Sequence, residues 1–306
     1  MKHTLWYRVA AILSLGLLFF ACQSGDPGID VDELDRERII TAADKYLLEE
    51  PVTVTAAQCE RSFGGIHDFY SEGDYWWPDP DNPDGPYIRK DGQTNPGNFT
   101  AHRKAMRNLS IWVPALVAAY KITGDEKYAA HALKHLMAWF ANPSTMMNPN
   151  LMYAQAIMGR VTGRGIGIID TLHLAEVARA IQVLEEMGYI KGQDLQGIKT
   201  WFSQYLEWMT THEYGLAERD NGNNHSTCWV VQVGAFASLV DNEAKSILYA
   251  LGVVHQQQGR VEEALDAYKR IFEVDINFKD VSAKIQDLYS GGGGTGSDQA
   301  TPPSEA

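Results

Sequence analysis

The chain has 306 residues, 45% of them hydrophobic and 10% aromatic, with a formal net charge of −13. That content supports one substantial core with room for a small accessory unit, and it excludes a disordered chain. It also argues against nucleic acid as a partner, because a phosphate backbone is held by clustered Lys and Arg; an anionic ligand would need a cleft that gathers cations locally.

A short basic start (Lys2, Arg8) is followed by an apolar run over residues 9–21 and then by Cys22 with polar Gln23. The run is short for a membrane span, and a small residue before a Cys matches a lipoprotein cleavage site, so residues 1–22 are expected to be a signal peptide with Cys22 as the lipidated mature start. An ordinary cleaved signal or an uncleaved anchor fits the same composition. Residues 23–35 would be a tether. This reading puts the protein in the periplasm or on the outer membrane, attached through lipid. Cys59 and Cys228 then remain, without metal-ligand spacing, and are expected to be unpaired.

Past the tether, apolar residues recur three and four apart over residues 33–49, 102–121, 126–140, 168–187 and 196–211, which predicts helices. Turn and cap sequences separate them, at Thr123-Gly124-Asp125, Asn142-Pro143-Ser144 and Met187-Gly188-Tyr189. Residues 59–99 read as a long loop dense in Pro, Gly, Asp and aromatics, and long loops in compact domains are usually functional. No alternating strand pattern stands out. Successive helix hairpins, apolar on more than one side, predict an all-α fold of stacked or toroidal helix pairs.

Beyond residue 240 the pattern changes. Leu248, Leu251, Gly252, His255, Gly259, Ala264, Tyr268 and Ile271 fall on tetratricopeptide spacing, which assigns residues 241–290 to one such helical hairpin with a further helix over 280–289. A plain amphipathic hairpin fits too. One repeat cannot cover its own apolar face, so it must pack on the preceding domain or on a protein partner. Residues 291–306 read as a disordered tail.

Three clusters carry chemistry. The first is Asn223-Asn224-His225 just ahead of an apolar helix: amides can hold a carboxylate and an imidazole can relay a proton near neutral pH, although cap formation explains the asparagines equally well. The second is Asp74-Tyr75-Trp76-Trp77-Pro78 with His102 and Arg103, suited to sugar faces and carboxylates, where the tryptophans serve as well as packing plugs. The third is Tyr153-Ala154-Gln155 followed by Arg160 and Gly163-Arg164-Gly165, which offers cations and backbone amides to an anion or is a plain glycine-rich connection. His131 and His135 stand four apart without a third metal ligand and read as solvent-exposed; no metal or other cofactor is expected. A hydrolase would need two opposed carboxylates, which Asp68, Asp74 and Asp220 do not specify.

Together these motifs resemble the alginate lyase family of polysaccharide lyases, over about residues 33–240. The resemblance implies an (α/α) toroid, incomplete here over residues 36–240, and an acidic polysaccharide, alginate or another uronic-acid polymer, cleaved by β-elimination. It implies Asn224 and His225 as catalytic residues, the amide neutralising the sugar carboxylate and the imidazole acting as base. Trp77, His102, Arg103, Gln155, Arg160, Arg164 and Asn223 are implied to hold the sugar chain. The family's later Arg and Tyr have no counterpart in the tail, so an inactive relative, or a non-catalytic glycan-binding surface lipoprotein, is the alternative expectation.

Overall fold

The computed structural model describes residues 35–240, 243–272 and 280–291. The expected signal peptide, Cys22, nearly all of the tether and residues 292–306 lie outside the described residues. Among those described, no helix is long and apolar enough to cross a membrane.

Helices α1 (Arg36–Tyr46), α2 (Ala101–Thr123), α3 (Glu126–Phe140), α4 (Leu174–Glu186), α5 (Gly192–Thr211), α6 (Glu213–Arg219) and α7 (Asn224–Leu239) form the main body. α2 packs against α1, α3 and α4, and α7 packs against α4, α5 and α6. The result is an all-α toroid-type arrangement of helix pairs. Its punctuation follows the sequence: Gly124 ends α2 at φ +70°, a left-handed conformation that costs glycine little, and the Asp125 side chain accepts from the Lys127 amide to start α3. Aromatic rings cement the pairs. Phe140 lies 4.6 Å from Trp201 and 4.9 Å from Phe202, which in turn is 5.1 Å from Phe236, so α3, α5 and α7 share one aromatic seam. A buried Thr171 hydroxyl meets Tyr205 and Gln232 at 2.6 and 2.8 Å, leaving these polar groups satisfied inside that seam.

The structure departs from the sequence-based expectation in three places. Four short strands occur among the described residues, three of them in the long loop: β1 (Tyr70–Glu72) pairs in parallel with β4 (Tyr153–Ala156), and β2 (Trp76–Trp77) pairs antiparallel with β3 (Ile88–Arg89). At two to four residues they are too short for alternation to register. The helix expected over residues 168–187 begins as a 3-10 turn, Gly165–Thr171, and becomes α-helical at Leu174. His135 is buried rather than solvent-exposed; its Nε2 and that of His131 both bond to the Glu49 carbonyl, at 3.1 and 2.8 Å, which ties α3 to the segment after α1.

The C-terminal helices are α8 (Glu243–Gln257), α9 (Val261–Phe272) and α10 (Val281–Gly291). α8 packs on α7 and forms a close hairpin with α9. Gly252 makes that closeness possible, since a Cβ there would stand 2.5 Å from the Tyr268 ring. Tyr249, Val253, Ala264, Tyr268 and Val281 belong to the same apolar core as α7, so the tail extends the main body.

Candidate active site

The loop region and the start of α7 border three adjoining cavities of about 600, 580 and 370 Å³. The first is lined by Trp76, Arg89, Arg160 and Arg164; the second by Asp74, Tyr75, Trp76, Arg89, Gln155, Arg164 and His225; the third by Asp74, Arg103, Arg107, Gln155, Asp170 and His173. Shared walls join them into one groove, rich in cations although the protein as a whole is acidic. A polyanion is attracted by such a local field whatever the net charge.

Trp76 and Arg89 are cross-strand partners in the β2–β3 hairpin and line the same stretch of groove. Arg160 stacks its guanidinium over the Trp76 ring at 5.2 Å and donates Nε to the Tyr87 carbonyl at 2.8 Å. Trp77 was expected to hold the sugar chain, but neighbouring residues of a strand face opposite ways. Its Nε1 donates to the Gln93 carbonyl at 2.8 Å and Lys90 covers its ring, so Trp76 takes the groove position.

Arg164 is set by the glycines around it. A Cβ at Gly163 would lie 2.0 Å from the Met152 carbonyl oxygen, one at Gly165 2.7 Å from that of Tyr214, and one at Gly167 2.5 Å from the Ala154 Cβ. Only a side-chain-free backbone threads this gap, and it delivers Arg164 beside Gly73 and Trp76. Arg164 Nε donates to the Gln155 carbonyl at 2.8 Å and Nη2 to Gln155 Oε1 at 3.3 Å. Gln155 has φ +56°, a left-handed conformation unusual for a residue with a Cβ, and such strain collects at functional sites. It is held there by the Ser71 hydroxyl, which accepts from its amide at 2.8 Å.

Three expected sugar-binding residues instead build the frame. His102 is buried: Nδ1 accepts from the Tyr70 amide at 2.9 Å and Nε2 meets the Ala57 carbonyl at 2.9 Å, leaving no ring nitrogen for a ligand. Burial holds its pKa below the usual imidazole value. Arg103 borders the groove, yet its guanidinium is committed to Asp74 at 2.5 Å, Asp170 at 3.0 Å and the Glu72 carbonyl at 3.0 Å. It locks the loop, β1 and the 3-10 turn together. Asn223, the third, is the cap of α7, accepting from the His225 amide at 2.8 Å. Asn224 follows as the first helical residue and is exposed.

His225 lines the central cavity with Arg164, Arg89 and Tyr75. Its Nδ1 lies 2.7 Å from Glu218 Oε1, and the Glu218 side chain has no solvent exposure. Burial raises the Glu218 carboxyl above the usual range, with the His225 contact pulling the other way. A buried carboxyl on Nδ1 orients the ring, leaving Nε2 as the nitrogen available to a substrate. Sequence reading missed Glu218 and Arg89, and held Tyr75 only as a member of its aromatic cluster. Only Glu218 had a usable signal, seven residues before a candidate base.

The fold is an all-α toroid of helix pairs carrying a cation-rich, aromatic-walled groove. The chain matches the alginate lyase family over residues 53–271 and belongs to it. The match runs past residue 240, where the sequence motifs placed the end of the likeness, and takes in α8 and α9. Among solved structures, the crystal structure of an alginate lyase from Bacteroides ovatus is similar, with TM-score 0.63 and 34% identity over 78% of this chain and 70% of that one. No curated protein matches significantly.

Proposed function

We propose that the protein cleaves alginate or a related uronic-acid polymer by β-elimination in this groove. The observation that carries the reading is the His225–Glu218 pair opening onto a cavity walled by Arg164, Arg89 and Tyr75. Arg164 and Arg89 neutralise the sugar carboxylate and so acidify the proton on the adjacent carbon; Asn224 lines none of the three cavities and takes no part in the step. His225 Nε2 takes that proton. Electrons of the C–H bond form the new ring double bond, the glycosidic C–O bond breaks, and the departing oxygen takes a proton from the Tyr75 hydroxyl. Trp76 and Arg160 carry the neighbouring sugar.

The family's later Arg and Tyr were not found in the tail, and Arg89 and Tyr75 are offered here in their place. A glycan-binding protein without turnover would need the Arg and Trp walls but not a buried carboxylate on the histidine, and this favours catalysis. The test is incubation with alginate and glucuronan while following ultraviolet absorbance of the unsaturated product. Turnover that disappears in His225→Ala supports the reading; no product from either polymer, with oligomer binding retained, replaces it with a binding role.

Lipidation at Cys22, with a periplasmic or outer-membrane location, is part of the same proposal; labelling with a radioactive fatty acid that is lost in Cys22→Ser tests it. The α8–α9 hairpin remains proposed as tetratricopeptide-like on its Gly252 to Tyr268 approach.

A further inference from the structure

The C-terminal helices and the groove meet at one short helix. α6 has seven residues, and its last two face different neighbours. Glu218 holds His225, while Arg219 reaches the tail. The Arg219 guanidinium donates to both oxygens of Asp220, at 2.7 and 2.8 Å, and to Asp280 at 3.3 Å. The Arg219 backbone carbonyl accepts from Gln257 Nε2 at 2.5 Å. Asp280 is itself fixed by the Tyr249 hydroxyl at 2.5 Å. Two tail residues, one at the end of α8 and one just ahead of α10, therefore grip the final residue of α6 by side chain and by backbone.

A helix this short closes only about three internal hydrogen bonds and is marginal alone, so its last turn is set by what packs on it. The Glu218 carboxylate is carried by that turn. We propose that Arg219 is a positioning residue: gripped by Asp280 and Gln257, it fixes the end of α6 and thereby the Glu218 carboxylate against His225. This rests on the reading that His225 performs the chemistry. It makes the tail a working part of the site, even though none of its described residues lines the three groove cavities.

The test uses the full chain with Asp280→Ala, Gln257→Ala, Arg219→Ala and the conservative Asp280→Glu. The control is Lys269→Ala, which removes a contact within the tail between Lys269 and the Tyr289 ring at 5.1 Å. Two signals are read: kcat and KM on the uronan, and the NMR shifts of the His225 ring nitrogens. In folded Asp280→Ala we expect kcat to fall about 5- to 20-fold with KM within about twofold, as lost orientation of a base predicts. The ring-nitrogen signals move with it, Asp280→Glu restores most of both, and Lys269→Ala changes neither. Should Asp280→Ala fail to fold, Gln257→Ala carries the same comparison. Unmoved ring-nitrogen signals in folded Arg219→Ala and Gln257→Ala overturn the proposal, as does a change confined to KM. If the wild type turns over no uronan, the functional reading falls, and the ring-nitrogen signals alone then decide whether Arg219 positions Glu218.

Discussion

His225 Nδ1 stands 2.7 Å from an oxygen of Glu218, a carboxyl sealed from solvent at the end of α6. Burying a charge is unfavourable unless something uses it. Because burial raises this carboxyl, its folded pKa exceeds the unfolded value near 4.5, so the site is most stable below that value and loses stability as pH rises through the folded one. Glu218→Gln keeps the shape without the charge. We expect kcat to fall about 100-fold, with thermal stability at pH 7 unchanged or raised by on the order of 1 kcal/mol. Calorimetry at pH 7 and pH 4 should show that gain shrinking at the acid end, and kinetics should show the loss.

The adjacent tryptophans provide a second contrast. Trp76→Ala removes a groove wall and the platform under Arg160, and should weaken oligosaccharide binding about tenfold, since an aromatic face on a sugar contributes about 1–2 kcal/mol. Trp77→Ala should leave affinity alone while lowering the melting temperature, because it breaks the bond to the Gln93 carbonyl. Affinity electrophoresis and thermal melts separate the two.

Glycines differ in what surrounds them. Gly163→Ala would force a methyl to 2.0 Å from a carbonyl oxygen, and we expect destabilisation by more than about 3 kcal/mol together with displaced Arg164 and lost activity. Gly234, inside α7 with open space at its Cβ, should behave oppositely, Gly234→Ala gaining about 0.5–1 kcal/mol with activity kept. Denaturant melts of the two variants check both signs.

Acid sensitivity should trace in part to His135. Its burial, with His131 beside it, pulls the ring down to about 4, against about 6.5 in an unfolded chain. The unfolded state therefore binds the extra proton first. Stability is fully present above pH 6.5 and declines as pH falls from 6.5 to 4, by on the order of 3 kcal/mol from this ring. His135→Gln should flatten the urea-melt stability profile across that window; an unchanged slope would locate the acid sensitivity elsewhere.

Several structural features were legible in the residues. Helical period and turn residues located α2, α3 and α5 closely, and Gly163-Arg164-Gly165 stood out as a segment offering cations and backbone amides to an anion. His225 was singled out by its setting and does line the groove. What could not be read were the directions of side chains in short strands and the partners of charged groups. Trp76 and Trp77 are chemically identical, and a two-residue strand carries no alternation to say which faces in. Arg103 and Arg164 look equally suited to a carboxylate; only the arrival of Asp74 and Asp170 from remote segments commits the first to the frame.

The sequence alone therefore determined that the chain is helical, that it gathers amides, aromatics and cations in a few segments, and that a glycine-threaded loop precedes α4. Those properties depend on local spacing and on backbone conformations that only certain residues adopt. Tertiary structure decided that Glu218 meets His225, that Trp76 rather than Trp77 walls the groove, and that the C-terminal helices grip α6. Such pairings arise from burial of charges and rings brought together across up to about a hundred residues of chain, where the favourable contact exists only after the core has closed.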